Sequence, residues 1–564
     1  MSDFLNAFPP DKVIFIPLGG CQEFGINLNV YGYNGKWLVV DCGIGFTQDQ
    51  KHPGLDALLP DPTFLEDHRD DILGILITHA HEDHVGAIPY LWSRLKCPVY
   101  CTPFTASFLK RKCSEFEDVR DDITIREMKP DQILDLSPFK VKVVGVTHST
   151  PTTVSFVIET PAGVIVHGNE WTLDPTPAVG PLTNREVFKS SGRQGVLAYI
   201  GDSTNAPYSG ASLGEGVVQE GMTRVMKRAE GRVIVTMFAS NVGRLVTLAK
   251  AARDCGRQVC VLGRSLFNYS AIARDHHMLS SIPPLLSSAE AASLPDHVVA
   301  YVVTGAQGEP RAVLSRIARG QHSDLTVHAG DTIIFSARAI PGNEAAITRL
   351  KSDLMAAGAV VIDHENTSET IHVTGHAYRE EIMEMLDWVR PQIVVPIHGE
   401  RFHLEAQADL ARQKQVPHVH VPENGSVLTL SSDGVAEIGR VQGGVLGVEP
   451  SRIVSMDHPA LRERQQLPET GALFVSVVLS PKGDLKADIQ ISGMGLFDPD
   501  DPDDQALIAD MRAGLADRLK QLSKLSDRTN HSAFVSEELR LCARRLVNTA
   551  LGFKPKTSVH VVQI

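Results

Sequence analysis

The stretch LGILITHAHEDHVGAIPYLW, residues 73–92, constrains the fold more than any other part of the chain. An apolar run over 73–77 stops at Thr78, and His79, His81, Asp83 and His84 follow before an amphipathic, helix-like pattern over 85–95. The run is short and reads as a buried strand. Imidazoles and carboxylates are the usual ligands of a borderline divalent metal. His79 and His81 stand two apart on extended chain, so their side chains point the same way. Asp83 and His84 fall where the chain turns into the helix, placed for a second metal beside the first. A solvated loop accounts for one histidine after a strand, but not for HxHxDH.

A site for two metals needs more ligands, and the same grammar supplies them. His148 follows VVGVT, Glu170 follows GVIVHGN and His398 follows IVVPI. The arrangement that completes two coordination shells puts His79, His81 and His148 on one metal and Asp83, His84 and His398 on the other, with Glu170 bridging. Two divalent ions per subunit are expected. Ligands without thiolate suit zinc, with manganese as the alternative.

Around this centre the chain is long enough, at 564 residues, for about two to four domains. Residues 1–210 are strand-rich, with polar residues collected at strand ends and an Asn34-Gly35 hairpin turn. From 211 to 365 strands and helices alternate, as in RVIVTMFAS, QVCVLG, VVAYVVTG, DTIIFSA and AVVID with intervening helical segments, which predicts a parallel α/β sheet. The polar-ended pattern returns over 366–447, with strands expected in IHVTGHA and QIVVPIHGE and a helix over 378–389. This is a domain interrupted by an insertion and then resumed. Residues 448–465 read as a linker. Residues 466–564 read as a small α+β unit, with strands over 473–479 and 485–492, helices over 505–523 and 535–550, and a terminal strand.

The net charge of −13 speaks against non-specific coating of nucleic acid. Residues 211–365 are the least acidic part, with 16 Lys and Arg against 14 Asp and Glu. Most of those cations are arginines, whose planar fork can grip phosphate. No apolar run approaches the ~20 residues of a membrane span, and the N-terminal MSDFLNAFPPDK lacks the pattern of a signal peptide. The eight cysteines are scattered without a CxxC pair, as reduced thiols of a cytoplasmic protein would be.

The motifs GGCQEFGINLNVY, VVDCGIGF, THAHEDHVGA, GDSTNA, TMFASNVGR, TGAQGEP, IPGNE, IHVTGHA and PIHGE, in this order over nearly the whole chain, resemble the ribonuclease J family of bacteria. The resemblance implies a metallo-β-lactamase αββα sandwich interrupted by a parallel α/β β-CASP domain. It implies a metal-dependent ribonuclease, 5′-to-3′ exonucleolytic on 5′-monophosphorylated RNA with endonuclease activity, in RNA maturation and decay. Asp41 matches an aspartate that supports the ligands from behind. Asp83, Asp202 and His376 match catalytic positions, with His376 a candidate general acid. Ser240, Ser336, His372 and Gly375 fall where the family builds its phosphate pocket, and Arg244 is expected to contact backbone phosphate. The C-terminal unit is expected to form a homodimer or homotetramer, and RNA-degradation complexes supply further partners.

One position departs from the pattern. The family has Gly-Asp where this chain has Asn169-Glu170, which moves the bridging carboxylate out by one methylene. Retained bridging is the favoured outcome, and Asp174, four residues on, is a poor substitute. A catalytically weakened RNA-binding paralogue is the alternative reading. A small-molecule metallo-hydrolase would share HxHxDH but would have no use for the insertion with GDSTN and VTGHA.

Overall fold

The computed structural model describes residues 8–47, 51–450, 452–481, 483–523 and 532–564. The chain divides into two compact units, one formed by the residues up to Gly45 with Leu59–Val445, the other by Phe46–Leu58 with Leu446–Ile564.

The larger unit contains three sheets. The first has eight strands in the order Gly434–Arg440, Ser426–Ser431, Val13–Gly19, Leu28–Tyr33, Lys36–Val40, Ile72–Leu76, Val99–Cys101, Ile125–Glu127. The second has seven: His418–Val419, Pro391–Ile397, Val196–Asp202, Gly163–Asn169, Val154–Thr160, Phe139–Gly145, Ile133–Leu136. Alternate side chains of both sheets, among them Phe15, Tyr31, Leu38, Leu76, Phe156, Ile165, Ile200 and Val395, form one buried cluster. Period-two alternation therefore makes a two-sheet sandwich. A second cluster packs the outer face of the seven-stranded sheet against the helices Arg185–Gln194, Arg379–Val389 and Arg401–Gln413. The expected hairpin turn is present, with φ of 48° at Asn34 and 74° at Gly35, values that suit asparagine and glycine.

The third sheet is the insertion. Its strands, in the order Gln258–Leu262, Val299–Val303, Val233–Thr236, Thr332–Phe335 and Val360–Ile362, pair in parallel throughout, and helices cover both faces.

In the smaller unit, the antiparallel Ala472–Leu479 and Gln490–Met494 and the parallel Lys556–Gln563 form a sheet. It packs on the helices Pro502–Ser523 and Ser532–Leu551.

Two expectations need correction. The supposed linker is structured: Val445–Glu449 pairs with Arg452–Ser455, and a helix runs over Pro459–Thr470. Val448, Val454 and Leu461 are buried, so this polar-looking stretch hides enough apolar surface to fold. IHVTGHA is not a strand. The carbonyls of Ile371, Val373, Gly375 and His376 accept from or face the side chains of Ser336, Arg244, His148 and Asn205 rather than a sheet neighbour.

Candidate metal centre

Parallel pairing decides what meets at the site. Asn169 lies opposite Gly201, and Asp202 opposite Ile397, so Glu170, Asp202 and His398 leave three adjacent strands at the same end. In the facing sheet Val40 pairs in parallel with Leu76, which brings Asp41 beside the 78–84 turn. Gly43 allows the close approach there, since a Cβ on it would lie 1.6 Å from Asp83 O.

Five imidazoles each hold one ring nitrogen on a neighbour and turn the other inward. His79 Nδ1 lies 2.9 Å from Thr78 Oγ1, and His81 Nε2 3.2 Å from Ser149 Oγ. His84 Nδ1 lies 2.7 Å from Asp41 Oδ2, His148 Nδ1 2.7 Å from Gly375 O, and His398 Nδ1 3.0 Å from Asp202 Oδ1. Such partners fix the orientation and tautomer of a metal-binding histidine. Asp41 is itself held by Thr78, which donates from N at 2.8 Å and from Oγ1 at 2.9 Å.

The inward atoms form two groups. Those of His79, His81, His148 and Glu170 lie within 4.8 Å of one another, as do those of Asp83, His84, Glu170 and His398. Glu170 belongs to both. Its Oε2 is 3.0 Å from His148 Nε2 and 3.4 Å from His79 Nε2, while its Oε1 is 2.6 Å from His84 Nε2 and 3.3 Å from His398 Nε2. The added methylene is thus absorbed in a carboxylate that spans the two groups. Asn169 holds the positive φ, 53°, that the turn into Glu170 requires.

The chemistry fits divalent metal. Among the described residues His398 Nε2 is buried without a hydrogen-bond partner, with Asp83 Oδ2 at 3.5 Å and Glu170 Oε1 at 3.3 Å. His79 Nε2 and His81 Nδ1 converge to 2.8 Å. Buried polar atoms left in this state are costly, and a cation shared among them removes the cost.

The charges are interlocked. Burial opposes charge on His398, yet Glu170, Asp202 and Asp83 push its pKa up to about 10. His84 is likewise raised well above the usual range by Glu170, Asp83 and Asp41 against its burial. Glu170 is buried too, but His84 and His398 hold it well below the usual carboxylate range. Burial instead pushes His148 down to about 4, against the pull of Glu170. Without metal, His84 and His398 therefore carry protons at neutral pH that a metal must displace. Metal binding is expected to release protons, and affinity to rise as pH rises through the raised values of His84 and His398. Titration calorimetry in buffers of different ionisation heat checks this, and buffer-independent heats would contradict it.

Beside the centre, Asp202 Oδ2 is 2.8 Å from His376 Nδ1, and Asp202 Oδ1 accepts from Thr204 N and Oγ1 at 2.9 and 2.6 Å. The Asp202 and Glu170 charges raise the pKa of His376 against its burial. Gly375 presses on His148, because a Cβ there would come within 2.9 Å of the ring.

Other expected residues fall elsewhere. Arg244 does not reach toward backbone phosphate: it is fully buried and paired with Glu215, because the helix Val242–Asp254 turns it inward. Ser336 is buried with its hydroxyl donating to Ile371 O at 2.8 Å, so it offers no free donor. His372 and Ser240 are partly exposed. Asp174 accepts from Thr176 N and Glu215 N and stands in neither metal group.

Sequence reasoning passed over Thr78, Ser149, Glu215 and Asn27. Asn27 donates from Nδ2 to Asp83 O at 3.0 Å and lies 3.1 Å from His84 Nε2. Thr78 and Ser149, as polar neighbours of ligands at strand ends, carried a readable signal. Asn27 and Glu215 did not.

Comparison with known proteins agrees with this architecture. Residues 22–168 match the model of the metallo-beta-lactamase superfamily, and 366–422 that of the Zn-dependent metallo-hydrolase RNA specificity domain. Residues 230–354 match the ribonuclease J beta-CASP domain and 459–564 the ribonuclease J C-terminal domain. Ribonuclease J of Sinorhizobium meliloti is 38% identical over 560 residues, covering 98% of each chain. That of Synechocystis sp. is 33% identical over 548 residues, covering 96% of this chain and 85% of its own. A crystal structure of a protein of unknown function from Enterococcus faecalis V583 covers 74% of this chain and 100% of its own, with a TM-score of 0.53 at 16% identity, and shares the fold alone. With 98% of its length matched to a relative and four domain models falling in order along it, the chain belongs to the ribonuclease J family and is a metal-dependent ribonuclease.

Proposed function

We propose that the chain hydrolyses RNA from a 5′-monophosphorylated end, releasing nucleotides in the 5′-to-3′ direction, with endonuclease activity at the same centre, in RNA maturation and decay in the cytoplasm. The observation that carries the reading is Glu170, which faces two histidine-rich groups at once beside the Asp202–His376 pair. It also supports a working centre over the reading of a weakened paralogue. His79, His81 and His148 would hold one ion and Asp83, His84 and His398 the other, with Glu170 touching both. Zinc suits this donor set. Two such ions acidify water for attack and offset charge on the phosphoryl oxygens.

The remaining work falls to side chains. Asp202 holds His376 through Nδ1, leaving Nε2 to deliver a proton to the leaving oxygen. Asp202 also orients His398, so one carboxylate aligns the acid and a ligand. The partly exposed His372 and Ser240 would stand at the 5′-phosphate pocket. The eight free cysteines suit a reducing compartment.

Incubation of metal-loaded protein with 5′-labelled monophosphorylated RNA is expected to release labelled mononucleotide. Internal fragments alone would overturn the exonuclease reading.

The smaller unit is the proposed subunit contact, supported by its exposed apolar side chains: Met494 at 70%, Val562 at 50% and Ile564 at 70%. Met494→Glu with Val562→Glu is expected to lower the mass measured by light scattering to that of a monomer. An unchanged oligomer would contradict this assignment.

A further inference from the structure

Arg244 is a fully buried guanidinium with all five of its N–H groups committed. Nε and Nη2 donate to Glu215 at 3.0 and 2.7 Å. Nη2 also reaches Val373 O at 3.2 Å, and Nη1 donates to Ser336 Oγ at 2.6 Å and faces His372 Nδ1 at 3.1 Å. Burying such a group is costly and is sustained only by a complete set of partners. Glu215 is placed for it by Asp174, whose Oδ2 accepts from Glu215 N at 3.1 Å.

The contact with His372 has a chemical consequence. Burial, with Arg244 and Arg338 nearby, pushes the pKa of His372 well down, so its ring is neutral and carries one proton. A guanidinium can only donate, so Nδ1 can bond to it only by accepting, in competition with Ser336 O, which lies 3.3 Å from the same Nη1. The proton then sits on Nε2. Ser336 O is also 3.1 Å from Nδ1 and would accept from it in the opposite tautomer, which the Arg244 donor disfavours.

We infer that Arg244 is a positioning residue for the 5′-end pocket: it touches no RNA, and it fixes His372 as the Nε2–H tautomer, the form able to donate a hydrogen bond to a substrate phosphate. The inference rests on the 5′-monophosphate reading above. Without Arg244, the ring is free to donate from Nδ1 to Ser336 O, and Nε2 then presents a lone pair to an anion. Glu215 keeps the guanidinium neutralised and aimed.

The direct test is the ¹⁵N spectrum of His372 in the metal-loaded, full-length protein, assigned with His372→Gln. The Nε2–H pattern is expected, and Nδ1–H in the wild type would overturn the inference without any further variant. The second test is Arg244→Met with Glu215→Met, which removes both buried charges together and so leaves neither unpaired. The ratio of kcat/KM for 5′-monophosphorylated over 5′-hydroxyl RNA is expected to fall roughly ten- to a hundredfold. The change should lie mainly in KM, with metal content retained. The salt dependence of RNA binding should stay as in wild type, because no phosphate contact is lost. A slope lowered by about 0.7 would show a direct contact and overturn the inference. A retained ratio in the folded double variant would overturn the inference alone. A wild type that does not distinguish the two RNAs would overturn the 5′-monophosphate reading and this inference with it.

Discussion

Glu170→Gln is expected to lower RNA cleavage by at least about a thousandfold and to reduce bound metal below two ions per chain. Each carboxylate oxygen faces a different group of ligands, His148 and His79 on one side and His84 and His398 on the other. Glutamine offers one oxygen and replaces the second with an N–H₂ donor, which no metal accepts. The side facing that amide loses its ion. Glu170→Asp keeps the charge but shortens the reach from a backbone that the strand pairing of Asn169 with Gly201 holds in place. Its expected effect is smaller, about ten- to a hundredfold in metal affinity and rate. Metal analysis and single-turnover cleavage on the three proteins together check both expectations. Faster cleavage by Glu170→Asp than by wild type would show that the glutamate is a handicap and revive the weakened-paralogue reading.

His376→Ala is expected to cost about 10²- to 10⁴-fold in kcat with little change in metal content. The defect should nearly vanish with RNA carrying sulfur at the leaving position, which departs without protonation. An equal defect with both substrates would assign His376 to binding instead. The pH profile adds a signed test. Asp202 and Glu170 raise the His376 pKa, and the protonated form is the active acid, so kcat should fall as pH rises through that raised value. Asp202→Asn removes the carboxylate charge that pairs directly with His376 and should move this alkaline limb to lower pH. A limb that stays in place would exclude His376 as its source.

The contrast between Glu170 and Arg244 shows how far sequence reading extends. Glu170 was legible because it ends an apolar strand, as His79, His148 and His398 also do, and strand ends in one domain tend to gather. Its bridging place was expected, but which histidines each carboxylate oxygen faces was not legible, since that depends on parallel register between strands far apart in the chain. Arg244 reads as a phosphate contact from its planar fork, its place in the least acidic segment and the family resemblance. The helix buries it against Glu215, a partner 29 residues away that nothing in the local pattern marks.

IHVTGHA misled in the same way. Its β-branched, alternating composition suits a strand, but its backbone groups bind side chains from four other segments. Local propensity lost to long-range hydrogen bonding, as it can where backbone groups find other partners.

By itself the sequence determined the strand-rich interrupted domain, the parallel insertion and the metal-binding character of HAHEDH, because periodicity and ligand chemistry are local properties of the chain, while the two-sheet sandwich was implied by the family resemblance. Only the tertiary structure decided which imidazole nitrogen faces inward, how one carboxylate spans two ligand groups, and which arginine is an internal support. Those outcomes depend on register, burial and angle between segments hundreds of residues apart, for which a linear pattern holds no term.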